Sequence, residues 1–145
     1  MGIKVVAGGI IEKDGKFLLV KEKQKICEGK WNIPAGAVDD GENVIEAAKR
    51  EILEETGCEV KINGLLEIVN KHMENIDLVC FFFNTELVNE NIKCDEDEIT
   101  DIKWFSYEEM LEMKANLRAN GYFLSTIKNK IENKITSLDV INTGI

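Results

Sequence analysis

The chain has 145 residues and a net charge of −9, from 18 Lys and Arg against 27 Asp and Glu. Its 44% hydrophobic and 31% charged residues, with a single proline, are typical of one globular domain and exclude a disordered or fibrous chain. The negative charge has the wrong sign for binding a long nucleic acid or an anionic membrane surface.

The first part of the sequence predicts a β-hairpin followed by a loop. Strands are predicted over 4–12 and 16–21, and the Asp-Gly pair between them can adopt the positive φ of a two-residue turn. The charged segment 22–30 predicts a loop, and 31–36 (WNIPAG) predicts an extended segment that ends in small residues.

A central helix and two strands follow. Asn43 is a good N-cap with Glu46 three residues further on, and Gly57 is a C-terminal stop. The segments 59–70 and 76–87 then have the composition of strands.

The C-terminal part predicts one more strand and two helices. An acidic loop over 89–98 leads to a strand over Ile99–Phe105, and Ser106 with Glu109 forms a capping box that opens a helix to about residue 114. A last helix is predicted over 120–133, with a loosely held tail from Thr136. This order of elements predicts an α/β fold, a mixed sheet with helices on both faces, in a single domain over residues 1–145.

The cysteines and the apolar segments indicate the compartment. Four scattered cysteines without a CxxC pair favour reduced thiols over a zinc site or a catalytic thiol: Cys27, Cys58, Cys80 and Cys94. No stretch of the sequence approaches the roughly 18 apolar residues of a membrane span, and the N-terminus lacks the layout of a signal peptide. We therefore expect a cytoplasmic protein with no membrane partner.

Three carboxylates converge on the flank of the buried face of the central helix. At about 100° per residue, the apolar side chains share one arc, and Glu51, Glu54 and Glu55 share a second arc centred roughly 80° away. Like-charge pairs at this spacing cost about 0.2–0.5 kcal/mol each, and the helix dipole adds to the cost in the last turn. A divalent cation would reverse these terms, and oxygen ligands favour Mg²⁺ or Mn²⁺ over Zn²⁺. The alternative is an acidic face that simply contacts solvent.

The residues around this helix follow a fixed spacing. Gly36 is followed by five residues, Glu42, seven residues, and then 50–58 (REILEETGC). This resembles the signature of the Nudix (MutT-type) hydrolases, GX5EX7REUXEEXGU with U a bulky apolar residue, and only Cys58 at the last U departs from it. The resemblance extends over about residues 4–115 and implies the Nudix fold, an α/β/α sandwich around a mixed sheet.

The resemblance also implies an activity and a metal site. The activity is metal-dependent hydrolysis of nucleoside di- or triphosphates, or of related nucleoside diphosphate derivatives, by water attack at phosphorus. The implied ligands of Mg²⁺, with Mn²⁺ as the alternative ion, are Glu51, Glu54, Glu55 and the carbonyl of Ala35. Gly36 would let the loop approach the substrate closely, and Trp31 is a candidate substrate contact.

Arg50 and an acid outside the helix complete the expected site. Arg50 is expected to orient the carboxylate of Glu42 or Glu51 through charge-assisted hydrogen bonds. The resemblance implies Glu54 and Glu98 as the catalytic carboxylates, and Glu98 is the first choice for the general base. Glu96, Asp97 and a glutamate of the signature remain alternative bases.

The substrate is constrained mainly by what the sequence lacks. Met73 stands where the ADP-ribose branch of the family usually carries a proline. PAG in place of PGG, and the Asn-Leu-Arg at 116–118, resemble a branch that includes the phosphatase NudJ and hydrolases of oxidised nucleoside diphosphates. Some members of that branch act on pyrimidine or thiamine pyrophosphates.

Other functions of the same fold are less well supported. A non-catalytic nucleotide-sensing domain is the main alternative, although the signature is complete. An isoprenoid diphosphate isomerase would carry an altered signature, and the net charge with only two arginines disfavours RNA decapping. The expected partner is a small nucleotide-type molecule, and a homodimer is compatible with the sequence.

Overall fold

The computed structural model describes residues 2–23, 29–93 and 96–144. These residues form eight strands and three α-helices, which are β1 Ile3–Ile10, β2 Glu12–Lys13, β3 Lys16–Glu22, β4 Trp31–Asn32, β5 Ala35–Ala37, α1 Val44–Thr56, β6 Cys58–His72, β7 Asp77–Glu90, β8 Ile99–Phe105, α2 Tyr107–Glu112 and α3 Leu124–Ile131. None of the helices in these ranges is long and apolar enough to cross a membrane.

The described strands lie in two sheets. The first sheet has the order β5-β1-β7-β6, and it is mixed because β1 runs parallel to β7 while the other neighbours are antiparallel. The second sheet is antiparallel, and in it β3 pairs with β2, β4 and β8.

Helices cover both faces of the sheet core. Successive side chains of a strand point to opposite faces, so the neighbours Phe82 and Phe83 of β7 belong to different core clusters. The cluster of Phe82 includes Ile127 of α3, and the cluster of Phe83 includes Ile52 of α1. The predicted α/β/α sandwich around a mixed sheet is confirmed.

The ends of α1 follow the predicted capping residues. The Oδ1 of Asn43 accepts a hydrogen bond from the Glu46 amide at 2.9 Å. Gly57 has φ 75° and donates its amide to the Leu53 carbonyl, which ends the helix in the left-handed conformation that glycine adopts without strain. Ser106 and Glu109 form the predicted capping box of α2.

The predicted hairpin is wrong in its extent. Asp14 and Gly15 both have positive φ, as expected of the two-residue turn, but the pairing with β3 across it covers only Glu12 and Lys13, with one further bond from the Leu18 amide to the Ile11 carbonyl. The preceding strand β1 instead pairs with β7, which is more than 60 residues away in the chain. A turn signal is local, whereas the strand's partner depends on which apolar surfaces can be buried together.

Two other predicted segments also divide differently. The extended segment 31–36 splits into β4 in one sheet and β5 in the other, so it links the two sheets around Pro34. In the predicted loop 22–30, Glu22 belongs to β3 and residues 24–28 lie outside the described residues. The predicted loop 89–98 starts after β7 ends at Glu90, and residues 94 and 95 lie outside the described residues.

The C-terminal region differs from its prediction in two ways. The last helix begins at Leu124 and not at residue 120, because Ala119, Asn120 and Gly121 all have positive φ. The tail is not loosely held at Thr136, which exchanges two backbone hydrogen bonds with Leu65 at 2.8 and 2.9 Å. Leu138 and Ile141 continue this contact by packing on the core beside α1.

Replacing Asn43 by alanine should destabilise the protein by about 1 kcal/mol, because the first turn of α1 loses its side-chain acceptor. Urea unfolding measures this change. Asn43→Ser is the matched control, since serine also accepts a hydrogen bond from the first turn, and it should unfold within about 0.5 kcal/mol of the natural protein. An unchanged midpoint for Asn43→Ala would show that this cap does not stabilise α1.

Candidate active site

Arg50 of α1 gathers the carboxylates of the signature around one guanidinium group. Its Nε and Nη2 donate to the two carboxylate oxygens of Glu42 at 2.7 and 2.8 Å, which is the bidentate geometry that gives the strongest ion pairs. Its Nη1 donates to Glu51 at 2.8 Å and to Glu54 at 3.2 Å. Both expected partners of Arg50 therefore contact it, together with a third carboxylate.

Glu42 holds two groups in place, the loop before α1 and the guanidinium group of Arg50. Its Oε1 accepts a hydrogen bond from the Asp39 amide at 2.9 Å. The bonds from Arg50, with a smaller effect from the Asp39 amide, lower the pKa of Glu42 to about 2. Glu42 is therefore ionised at neutral pH and acts as a permanent anchor for the guanidinium group.

The free edge of β5 faces the side chains of α1. The ladder hydrogen bonds between β1 and the β5 region form at Gly9–Pro34 and Val5–Val38. By the alternation of an antiparallel pair, Ala35 and Ala37 turn their backbone groups away from β1. The peptide groups of this edge strand are thus available to other partners.

Side chains of α1 bind this edge directly. The Ala35 amide donates to Glu55 Oε1 at 3.0 Å, and the Ala37 carbonyl accepts from Arg50 Nη2 at 3.0 Å. The carbonyl of Ala35, the expected metal ligand, lies on the same edge as these two groups. The sheet and the helix therefore present a carbonyl and carboxylates side by side.

Gly36 makes room for a carboxylate. A Cβ at this position would lie 2.3 Å from the Cδ and the Oε2 of Glu51, which is far inside van der Waals contact. The sequence indicated that Gly36 allows a close approach to substrate, and the observed close approach is by Glu51. Any larger residue would have to displace that carboxylate.

Burial sets the protonation of two of the three glutamates. Glu51 and Glu55 are 9% and 6% exposed, whereas the Glu54 side chain is 52% exposed. Burial raises the pKa of Glu51, and the contact with Arg50 opposes the rise. Burial, with a further contribution from the charge of Glu51, raises the pKa of Glu55 to about 9. Burial therefore disfavours the charged form of both acids.

The two buried glutamates open onto a cavity of about 370 Å³. Glu51 and Glu55 lie at one end of it, with Glu22 of β3 and with Glu98, which precedes β8. Ala35 and Gly36 also line the cavity, so five of the expected site residues meet there. This volume is in the range of small-molecule sites.

Three expected site residues lie elsewhere. Arg50 and Glu54 are on the flank of the site and do not line the cavity. Trp31 is 7% exposed and belongs to the core, where its ring packs edge-on against Phe105 at 4.9 Å between centroids. The expectation that Trp31 contacts substrate is therefore corrected: β4 directs this side chain into the core.

The cavity also contains residues that the sequence did not single out for this role. Glu22 Oε2 accepts from Arg118 Nη1 at 2.9 Å, and the Tyr122 hydroxyl donates to Asn32 Oδ1 at 3.0 Å. The other carboxylate oxygen of Glu22 is buried without a hydrogen-bond partner among the described residues. Glu22 and Asn32 were missed because they lie at strand ends outside the signature, and only the tertiary fold brings them beside α1.

The donor set is suited to a hard divalent cation. In the observed side-chain positions, no three acidic, histidine or cysteine residues of the described ranges lie close enough together to hold one ion. Arg50 lies between Glu51 and Glu54, and Glu55 is bonded to the Ala35 amide. However, the buried carboxylates of Glu51 and Glu55 adjoin a carbonyl edge, and such a set of oxygen donors is the chemistry that Mg²⁺ prefers.

The two cysteines of the described residues differ in position, because Cys80 lines the cavity and Cys58 does not. Cys58 and Cys80 are buried free thiols, and burial raises the pKa of each. Cys27 and Cys94 lie outside the described residues.

Comparison with known proteins identifies the family. The model of the NUDIX domain matches residues 2–125, and the chain belongs to this family. The structure is similar to that of a NUDIX hydrolase from Nitrosomonas europaea, with a TM-score of 0.87 and 30% identity, covering 96% of this chain and 95% of that one.

Two curated relatives match over shorter parts of their length. The chain is 48% identical over 64 residues to an ADP-ribose pyrophosphatase of Methanocaldococcus jannaschii, which covers 44% of this chain and 38% of the relative. It is 33% identical over 116 residues to Nudix hydrolase 6 of Arabidopsis thaliana, covering 70% and 41%. The chain thus spans about two fifths of the length of these relatives.

The raised pKa of Glu55 predicts how stability depends on pH. A carboxyl group with a pKa of about 9 in the folded protein and its ordinary value of 4.5 in the unfolded chain stabilises the fold fully below pH 4.5. That stabilisation is lost as the pH rises from 4.5 towards 9, because the unfolded chain lowers its free energy by ionising this group while the folded protein must keep it protonated or bury a charge.

Glu55→Gln should therefore be more stable than the natural protein at pH 8.5, by at least about 1 kcal/mol, with little difference at pH 4.5. Urea unfolding in a buffer containing a chelator measures both values. Glu86→Gln, which removes one exposed carboxylate from β7, controls for the change in net charge. A constant difference between the two pH values would contradict a raised pKa at Glu55.

Proposed function

We propose that this chain is a metal-dependent pyrophosphohydrolase that cleaves nucleoside di- or triphosphates, or related nucleoside diphosphate derivatives, by water attack at phosphorus. Mg²⁺ is the proposed ion, and Mn²⁺ the alternative. The observation that carries the proposal is the pair of buried carboxylates, Glu51 and Glu55, beside the peptide edge at Ala35 in a cavity of ligand size.

The relatives support the reaction class more than the substrate. One relative is named as an ADP-ribose pyrophosphatase and a similar structure as a NUDIX hydrolase, and both names are consistent with cleavage of a phosphoric anhydride. The match to the first covers only 44% of this chain. The placement in the branch that includes NudJ stays a prediction.

The charge of the cavity explains why a cation is needed. Five acids line the cavity, Glu22, Asp39, Glu51, Glu55 and Glu98, and those that are ionised would repel an anionic diphosphate. A divalent cation would offset this repulsion if it were held by Glu51, Glu54, Glu55 and the Ala35 carbonyl. It would also neutralise charge on the leaving group and lower the pKa of the attacking water.

The chain's own residues supply the preorganisation. Arg50, anchored by Glu42, holds Glu51 and Glu54 on one side of α1, although like charges at that spacing repel. The Ala35 amide holds Glu55 against the edge of β5, and the absent side chain of Gly36 leaves space for Glu51. These contacts keep the acids near the Ala35 edge, and binding one ion would require their side chains to shift, because no three acids of the described ranges lie close enough together to hold it.

Glu98 is the proposed general base. It lines the cavity, whereas Glu96 and Asp97 do not, and its side chain is in an exposed position from which a proton can leave to solvent. The Lys23 amide donates to the Glu98 carbonyl at 2.9 Å, which ties the residue to the end of β3. This arrangement places a carboxylate in the same cavity as Glu51 and Glu55 of α1.

The setting of the reaction is proposed from the composition. A net charge of −9 fits a small, metal-complexed nucleotide better than a long nucleic acid. We propose a cytoplasmic location, with a small-molecule partner and no membrane contact. A homodimer remains compatible with these features.

Glu54→Gln should lower divalent-dependent phosphate release roughly 100-fold or more, since removing one charged ligand weakens stabilisation worth several kcal/mol. Steady-state kinetics with Mg²⁺ over a panel of nucleotide substrates measures this, and circular dichroism verifies the fold. Glu59→Gln, an exposed position on β6, is the matched control. Full activity in Glu54→Gln would contradict its assignment to the metal. If the natural protein hydrolyses no member of the panel but binds nucleotides tightly, it is a sensing domain.

Glu98→Gln should lower kcat by about 10²–10⁴ and remove the acidic limb of the pH–rate profile, because the amide cannot accept the proton. Glu96→Gln is the neighbouring control, and its profile should match that of the natural protein. If both variants keep the acidic limb, the base is one of the other acids.

A further inference from the structure

The end of the cavity remote from the glutamates carries two lysines. Asp39, which follows the Val38 bonded to Val5, also lines the cavity, and its carboxylate pairs with Arg50 at 3.4 Å. Lys4 of β1 and Lys71 of β6 line the remote end, and both pair with Leu78 of β7 in the register of the first sheet. Residues that pair directly project from the same face of a sheet, so the two lysines flank Leu78 on one face. The next row on that face is apolar and consists of Val6, Cys80 and Val69.

These rows give the cavity a measurable length. Ala35, whose amide holds Glu55, pairs with Gly8 of β1, and Lys4 lies four residues from Gly8 on the same strand. At about 3.3 Å per residue, the lysine row is roughly 13 Å from the Ala35 row. Allowing for the reach of the lysine side chains, one sugar or nucleoside would fill the space between the two charged ends.

The ammonium groups of Lys4 and Lys71 form no ion pair with another described residue. Within residues 2–23, 29–93 and 96–144, neither makes a salt bridge. Asp77, next to Leu78, points to the other face of the sheet and is bonded to the His72 ring. The Lys71 ammonium instead lies 5.8 Å from the centroid of the Tyr122 ring, which also lines the cavity.

The third cation of the cavity is already engaged. Arg118 forms an ion pair with Glu22, so its charge is largely balanced by that carboxylate. Lys4 and Lys71 pair with Leu78, two residues before Cys80 on the cavity floor, and their charges therefore oppose the rise that burial causes in the pKa of the Cys80 thiol. Two lysine charges without ion-pair partners in this part of the chain therefore face the same small volume.

We propose that Lys4 and Lys71 form an anion subsite, and that the preferred substrates carry a second anionic group, a phosphate or a carboxylate, one sugar or nucleoside away from the diphosphate. This inference rests on the proposed function, because it takes the glutamate end as the place of the diphosphate. The apolar row of Val6, Cys80 and Val69, with Tyr122, would contact the group between the two anions.

Two pairs of diphosphates that differ only in a remote phosphate test the subsite: NADPH with NADH, and coenzyme A with dephospho-coenzyme A. For at least one pair, kcat/KM should be about tenfold higher for the phosphorylated member. The double variant Lys4→Gln/Lys71→Gln should reduce that ratio to near one. The double variant Lys4→Arg/Lys71→Arg retains both positive charges and should show the natural ratio. The matched control Lys16→Gln/Lys61→Gln removes two exposed strand lysines outside the cavity and should keep the natural ratio.

Calorimetry with Ca²⁺ in place of Mg²⁺ separates failure of the subsite from failure of the proposed function. The phosphorylated member of a pair should bind to the natural protein about tenfold more tightly than the other member, and this difference should be absent in the Gln double variant. Equal kcat/KM and equal affinity within both pairs would overturn the subsite. Hydrolysis of either member of a pair would still uphold the proposed function. Absence of hydrolysis with a lysine-dependent difference in affinity would overturn the function and uphold the subsite. A preference that survives in the Gln double variant would also overturn the subsite.

Discussion

The site depends on one ion-pair network, centred on the guanidinium group of Arg50. Carboxylates that repel one another on a helix are held together because a planar, permanently charged group donates to Glu42, Glu51 and Glu54 at once. Glu42 is anchored in turn by the loop before α1. The network therefore fixes the helix, the loop and the carboxylates relative to one another before any ligand binds.

The second constraint is the edge of β5. An edge strand leaves peptide groups unpaired, and here they are bound by Glu55 and Arg50 and not by another strand. The same short strand carries Gly36, where the lack of a side chain admits the carboxylate of Glu51. A few residues thus join the mixed sheet to α1 and set the spacing between a peptide edge and two buried acids.

Local signals in the sequence were reliable where the physics is local. Asn43 and Gly57 cap α1, and Ser106 caps α2, because a capping bond involves only neighbouring residues. The spacing of the signature placed Glu51 and Glu55 on the inner flank of the helix for the same reason. Non-local partners were different: β1 pairs with β7 and not along the full hairpin, and Trp31 turns into the core.

By itself the sequence determined the helix, its caps, the converging carboxylates and the family to which they belong, since these follow from spacing along the chain. Only the tertiary structure decided that Glu22, Arg118 and Tyr122 share the cavity with them, and that Lys4 and Lys71 face its other end. The reason is physical. Which strands become neighbours is decided by the burial of apolar surface across the whole chain, and no local pattern of residues contains that information.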